Sequence, residues 1–319
     1  MLSYIKENCN IRQIDITIDE ILSSKAIWLD LVDMLPEEEV RIEKILGIDV
    51  PNAEETLNIS ISQRLYEENN AIYLTITLYI NKTDDIYNLL PHTFTFIITK
   101  ERLITVRDSD SEISLKYFTD HQNYIEKPSL LVFITILKNI IDKLASFYEI
   151  IGHELDNKND QLLNTNSSDI NYKSMLKIIT SLGNSISKTR ESIGTVMRML
   201  IFLSKSDLIS HNENFINTVK IYLKDLGAIS DHANFLSNKT TFLLDATLGL
   251  INIEQNNIMK IFSVTSVIFT PPMLIGCIYG MNFEFMPELK LKFGYLYALF
   301  FMLIAAYMPY RYFKKKKWL

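Results

Sequence analysis

Cysteine is nearly absent from this chain of 319 residues: Cys9 and Cys277 are all it has. One lies near the N-terminus and the other inside an apolar run, which excludes a disulfide framework. Histidine is sparse as well. His92, His121, His153, His211 and His232 are scattered with no pair at metal-ligand spacing, and are expected to be structural or surface residues. Positive charge is not in excess. The formal net charge is −6, so nothing points to nucleic acid. The surplus of Asp and Glu fits plain solubility or a cation-sensing surface. There is no phosphate-binding glycine loop, no cofactor loop and no nucleophile–base constellation, so an enzyme is the least expected class. The start, Met1-Leu2-Ser3-Tyr4-Ile5-Lys6, does not open a signal peptide, and the first 250 residues are expected in the cytoplasm.

Proline is missing between Pro128 and Pro271, which leaves a long region free to be helical. Before Pro128 the pattern is mixed. Residues 26–32 read as a strand, and 37–46 as an amphipathic helix ended by Gly47. Residues 60–68 are a weaker strand. Residues 72–80 alternate, with Ile72, Leu74, Ile76, Leu78 and Ile80 on one face and Tyr73, Thr75, Thr77 and Tyr79 on the other. Residues 93–99 and 103–106 read as a hairpin around Lys100-Glu101. After Pro128 the period becomes helical. Helices are expected over 129–160 and 172–205, with polar loops at 157–171 and 206–213. From about Asn214 to Gly280 the chain reads as one helix on the order of 100 Å long, too long for a globular core. The predicted class is α+β: an α/β domain over 1–212, a stalk over 213–257 and a membrane region over 258–319.

The membrane region follows from two uncharged runs. Nineteen residues from Ile261 to Tyr279 and eighteen from Phe293 to Tyr310 each approach the length that crosses a hydrocarbon core, giving spans at about 261–280 and 293–310. A thirteen-residue polar loop separates them. Arg311 and Lys314 to Lys317 follow the second run, whereas Lys290 and Lys292 in the loop are balanced by Glu284 and Glu288. Positive charge belongs inside, so both termini are expected in the cytoplasm of a multi-pass, inner-membrane protein. Tyr307, Tyr310, Tyr312, Phe313 and Trp318 read as an interfacial aromatic belt.

The first span ends Tyr279-Gly280-Met281-Asn282-Phe283, and the loop continues Glu284-Phe285-Met286-Pro287-Glu288-Leu289. A Gly-Met-Asn tripeptide alone is a weak signal. Closing the first of two C-terminal spans, followed by Met-Pro-Glu-Leu and a basic tail, it resembles the CorA family of magnesium and cobalt transport proteins. Trp28-Leu29-Asp30-Leu31, the stretch from Gly249 to Asn256, and Ile261-Phe262-Ser263-Val264 agree with that resemblance. It covers the whole chain, strongly from about residue 240 and loosely before.

The resemblance implies a homopentamer with five first-span helices around one pore in the lipid bilayer. At helical spacing back from Asn282, one face carries Thr270, Ser266, Phe262 or Ser263, Met259, Asn256, Asn252, Leu248 and Asp245. Such a stripe suits pore lining, although Ser and Thr are also favoured in simple helix packing. Hydrated Mg2+ presents outward water hydrogens, and five Asn282 carboxamides with backbone carbonyls near Gly280 could accept them. Gly280, Met281 and Asn282 are thus the expected selectivity filter. Glu284 and Glu288 form an acidic ring at the mouth, or are plain solvated carboxylates. Met259 matches a hydrophobic gate of the family, Phe262 replaces a different apolar residue, and Thr270 stands where another apolar gate is expected. The resemblance further implies regulatory Mg2+ between subunits, with Asp84 or Asp85 and Asp225 or Asp231 as candidate ligands. Mg2+ is then both substrate and regulatory ligand, with no other cofactor.

Two rivals stand beside a Mg2+ channel that also takes Co2+ and Ni2+. A zinc or nickel transporter of the same fold is disfavoured, because Cys277 alone is too little soft ligand. A membrane-anchored sensor or scaffold without transport would not need the polar stripe or the loop motif.

Overall fold

The computed structural model describes residues 2–7, 10–14, 26–51, 64–80, 86–108, 128–164, 171–209, 212–284, 286–316 and 318. Seven strands form one mixed sheet: β1 (Leu2–Glu7), β2 (Asn10–Ile14), β3 (Ala26–Val32), β4 (Leu65–Glu68), β5 (Ala71–Ile80), β6 (Leu90–Ile98) and β7 (Leu103–Arg107), in the order β2-β1-β3-β7-β6-β5-β4. The β3–β7 pair at its centre is parallel and the other neighbours are antiparallel. The helices are α1 (Pro36–Leu46), α2 (Pro128–Asn164), α3 (Tyr172–Leu203), α4 (Glu213–Tyr279) and α5 (Gly294–Lys315), with a 3-10 turn at Pro287–Lys290. The chain divides into two compact units. One holds the sheet and the helices up to Leu244, and the other begins at Asp245.

The strands lie where β-branched and aromatic residues alternate, and both faces of the sheet are covered. Leu29, Leu31, Tyr73, Ile97, Ile104 and Val106 form one core with Ile42 of α1 and Val50. Tyr66 stacks on Tyr73 with centroids 4.5 Å apart. On the other face Phe96 meets Phe133 of α2 edge-on at 5.4 Å, and Phe133 in turn meets Phe215 of α4. The face of β5 that carries Tyr73 and Thr75 is therefore buried too, at 1% and 5% exposure. Thr75 satisfies its hydroxyl across the sheet on Thr95 at 3.0 Å.

Local chemistry sets the helix ends. Glu38 reaches back to the Leu35 amide at 3.1 Å, and α1 stops where Gly47 takes φ 67° and donates to the Glu43 carbonyl. Asn212 caps α4 by accepting from the Phe215 amide at 3.0 Å. One expectation is corrected: residues 157–164 continue α2 rather than opening a loop. That stretch is polar but has no proline or glycine, and the turn before it is tied by Lys158 to Glu154 at 3.0 Å. Residues 165–170 lie outside those described, as do 60–63.

Within the first unit α2, α3 and α4 pack closely. A Cβ on Gly152 would lie 3.6 Å from Leu236, and one on Gly183 would lie 3.2 Å from Thr240. The buried Tyr148 hydroxyl donates to the Ile186 carbonyl at 3.3 Å. Helix α3 is also pinned to β5. Ser192 accepts from the Tyr79 amide at 2.8 Å, and Thr195 donates to the Thr77 carbonyl at 3.0 Å.

Candidate functional site

From Ile258 onward α4 has few internal neighbours, and most of the residues it does cover form a line. Val264 is buried, and Ile268, Pro271, Ile275 and Tyr279 are half-buried, at helical spacings of three and four. This is the side that meets α5. Gly276 leaves 3.5 Å between a would-be Cβ and the Met302 methyl, and the Lys260 ammonium lies 5.9 Å from the centroid of the Trp318 ring. At about 100° per residue, Met259, Phe262, Ser266 and Thr270 fall on the opposite side. They are exposed, as are Asp245, Leu248, Asn252 and Asn256. Helix α5 therefore leaves the polar stripe uncovered.

The stripe has a definite polarity. Ser263 donates to the Met259 carbonyl at 2.8 Å, Ser266 to Phe262 at 2.9 Å and Thr270 to Ser266 at 2.6 Å. Each hydroxyl proton is spent on the helix itself, so the oxygen turns lone pairs outward. With the amides of Asn252 and Asn256, the face can accept hydrogen bonds from a hydrated cation. Pro271 and Pro272 stand inside the helix without amide protons, which releases the carbonyls of Val267 and Ile268 from the usual ladder.

The helix closes at the motif. Gly280 donates to the Gly276 carbonyl at 3.0 Å and Met281 to Ile278 at 3.2 Å, and Asn282 follows on non-helical backbone. A Cβ on Gly280 would stand 3.3 Å from the Gly276 oxygen, so the close approach favours glycine. A cavity of about 880 Å3 brings Met281, Glu284 and Glu288 together with Ile278, Tyr279 and Met286. Asn282 is exposed and does not line it. The loop returns tightly. Gly294 donates to the Leu291 carbonyl at 3.0 Å, and a Cβ there would fall 2.6 Å from the Glu288 oxygen.

The regulatory candidates are less assembled. Asp84 and Asp85 lie outside the described residues. Asp225 and Asp231 are exposed on α4 in the first unit. Burial pushes the Tyr222 phenol up to about 12, with the Asp142 and Asp225 carboxylates adding to the effect. Among the described residues no three His, Cys, Asp or Glu side chains are grouped to hold a metal.

Sequence reasoning missed two polar assemblies. Asp30, 1% exposed, accepts from Thr105 at 2.6 Å and from Arg107 Nη2 at 2.8 Å. The Trp28 indole donates to the same Thr105 hydroxyl at 2.9 Å. An aspartate between apolar strand residues was the available signal. The second assembly ties the segment before β6 to helices. Tyr87 donates to Glu154 of α2 at 3.0 Å, and Lys188 of α3 donates to the Leu89 carbonyl at 2.9 Å.

Fold and site together define a class: a mixed sheet with long helices, joined to two helices long and apolar enough to cross a membrane, the first with an uncovered acceptor face. Residues 23–315 match the family described as CorA-like Mg2+ transporter protein. The chain is 33% identical to the magnesium transport protein CorA of Pasteurella multocida over 99% of both chains. It is 32% identical to the protein of that name from Escherichia coli K12 over 92% of both. The chain belongs to the CorA-like Mg2+ transporter family, and so to the transporters rather than the enzymes. Its fold is similar to that of the CorA magnesium transporter of Methanocaldococcus jannaschii, at 21% identity and TM-score 0.77, covering 100% of this chain and 98% of that one. The full-length CmaX protein shares the fold at 12% identity and TM-score 0.69, over 100% of this chain and 98% of its own.

Proposed function

We propose that this chain carries Mg2+ across a membrane as a homopentamer, with five copies of α4 around one pore. The observation that carries the reading is the acceptor stripe of α4, which lies opposite the side covered by α5 and leads to Asn282. Five such stripes turned inward make a path that can hold hydrated Mg2+ without stripping its reluctant water shell. The Gly280–Met281–Asn282 segment is the filter, and Glu284 and Glu288 concentrate cations at its mouth. Met259 and Phe262 are the apolar rings that close by dewetting. Asp245, Leu248, Asn252 and Asn256 line the inner approach, and Ser266 and Thr270 the outer.

The large domain (1–212), the stalk (213–257) and both termini lie in the cytoplasm, and within residues 258–319 the spans at about 261–280 and 293–310 cross the inner membrane, with the loop between them outside and the basic tail inside. An inside-negative potential supplies roughly 4.6 kcal/mol per 100 mV for a divalent ion, from about 2.3 per charge. Co2+ and Ni2+ share the path. Internal Mg2+ held between subunits by Asp84 or Asp85 and Asp225 or Asp231 keeps the pore shut, so free Mg2+ protects the cytoplasmic domain from proteolysis.

The test is flux into liposomes under an imposed potential, with Mg2+, Co2+, Ni2+ and Zn2+ in competition. Potential-dependent Mg2+ entry, lost or altered in Asn282→Ala while the variant still inserts, is the expected result. Zn2+ entry without Mg2+ entry would overturn the ion assignment. No flux of any ion from the parent protein would favour an anchored scaffold.

A further inference from the structure

We propose that the Lys260 segment of α4, where its apolar run begins, and the C-terminal end of α5 form a binding site for the headgroup of an anionic phospholipid. The proposal rests on the two helices crossing a membrane and adds a partner to that reading. Five described cations gather here: Lys260 within α4, and Arg311, Lys314, Lys315 and Lys316 at the end of α5. The two groups meet. The Lys260 ammonium sits over the Trp318 ring at 5.9 Å, and Trp318 stacks on Phe313 at 5.6 Å with planes 22° apart. Lys314 lies over the Tyr310 ring at 5.8 Å. Aromatic faces hold these ammonium groups without neutralising them.

Among the described residues no Asp or Glu side chain pairs with the cluster. Glu288 is the last acidic residue of the sequence, and Lys260 is the only charged residue between Glu254 and the end of α4. Among the described residues, ion pairs form at Asp30–Arg107, Glu154–Lys158 and Asp156–Lys239, and none includes the five cations. The cluster also sits at a defined depth, where the uncharged run of α4 begins and that of α5 ends, and beside exposed Tyr310, Tyr312 and Trp318. Amphipathic rings seek the headgroup level, which places the ammonium groups at phosphate height. An uncompensated basic cluster beside a span is the chemistry that selects anionic over zwitterionic lipid. Because Lys260 and the α5 cations come from different helices, one phosphate held between them fastens the end of α5 to the Lys260 segment of α4.

The experiment uses the purified full chain in detergent with equimolar phosphatidylglycerol and phosphatidylcholine, and reads retained lipid by native mass spectrometry. Phosphatidylglycerol is expected to be retained in preference, and Lys260→Gln and Lys314→Gln should each lower its retention about fivefold. Lys260→Arg should keep it. Trp318→Leu, which leaves every charge in place, should also lower it because the stack that joins the helices is gone. Equal retention of the two lipids, or Trp318→Leu and Lys260→Gln variants that fold and bind as the parent does, would overturn the proposal. Displacement by excess inorganic phosphate would overturn it in favour of a free-anion site. Alkaline extraction of the membranes separates the two readings. A chain that washes off fails the membrane reading, whereas one that stays but shows no lipid preference fails only this proposal.

Discussion

Removing the Asp30 carboxylate should cost the seven-stranded sheet a large part of its stability. Asp30 is 1% exposed and its partner Arg107 is 10% exposed, on the parallel β3–β7 pair at the centre of the sheet. The carboxylate accepts from Arg107 Nε at 3.1 Å and Nη2 at 2.8 Å, and from Thr105 at 2.6 Å. In Asp30→Ala the guanidinium keeps the Asp108 carbonyl at 3.4 Å but loses the Asp30 carboxylate that holds it in place, and losing one partner of a buried ion pair costs about 3–5 kcal/mol. Thr105 suffers less, because the Leu29 carbonyl stands 3.5 Å from its hydroxyl as a second acceptor. The double variant Asp30→Leu, Arg107→Leu should recover most of the loss, since an apolar pair needs no counter-charge.

The assay is built into the site. The protein has two tryptophans. Trp28 is fully buried and donates to Thr105, so its fluorescence reports this region, and Trp318→Phe removes the other signal. With a urea dependence of about 2 kcal/mol per M, Asp30→Ala should lower the midpoint of the Trp28 transition by about 2 M. A shift below about 0.5 M, or a double variant as weak as the single one, would refute the reasoning.

Four further outcomes follow from the geometry. Gly294→Ala places a methyl 2.6 Å from the Glu288 carbonyl, and should lower the melting point of the detergent-solubilised protein by an amount matching about 1–3 kcal/mol of overpacking. Gly183→Leu drives a side chain into Thr240 at the α3–α4 contact and should destabilise the first unit more than Gly183→Ala, read by urea unfolding. Met259→Ser replaces the apolar ring of the proposed gate with a wettable one and should raise liposome flux above the parent's at high internal Mg2+, the condition proposed to close the pore. For Glu154, burial pushes the carboxyl up, but hydrogen bonds from Lys158, Tyr87 and Asn157 with the Lys158 charge outweigh it and hold the pKa below 4.5. The stability it contributes is then present above pH 4.5 and lost as pH falls through the lowered folded value, so Glu154→Gln should be less stable near neutrality and converge with the parent in acid.

Much of the molecule was legible as pattern. The β3 segment, the Gly47 stop of α1, the alternation of β5, the turn between β6 and β7 and the unbroken run of α4 all follow from spacing. The α2 extension was not legible. Residues 157–164 look like a loop by composition, and they are helical because nothing in them breaks a helix already begun. The mouth was only partly legible. The sequence placed Met281, Glu284 and Glu288 near the end of a span, and the 3-10 turn and Gly294 bring them to one cavity.

By itself, then, the sequence determined the elements and the chemistry each one carries: two uncharged runs, a polar stripe and a motif at the end of a helix. These are local properties, set by what each residue is and how far it stands from the next along a helix or strand. Only the tertiary structure decided which surfaces meet. It joined Asp30 to Arg107 across 77 positions, covered both faces of β5, and laid α5 on the Val264 side of α4 so that Ser266 and Thr270 stay open. Such pairings depend on the fit of surfaces distant in sequence, and periodicity along one element cannot specify its partner.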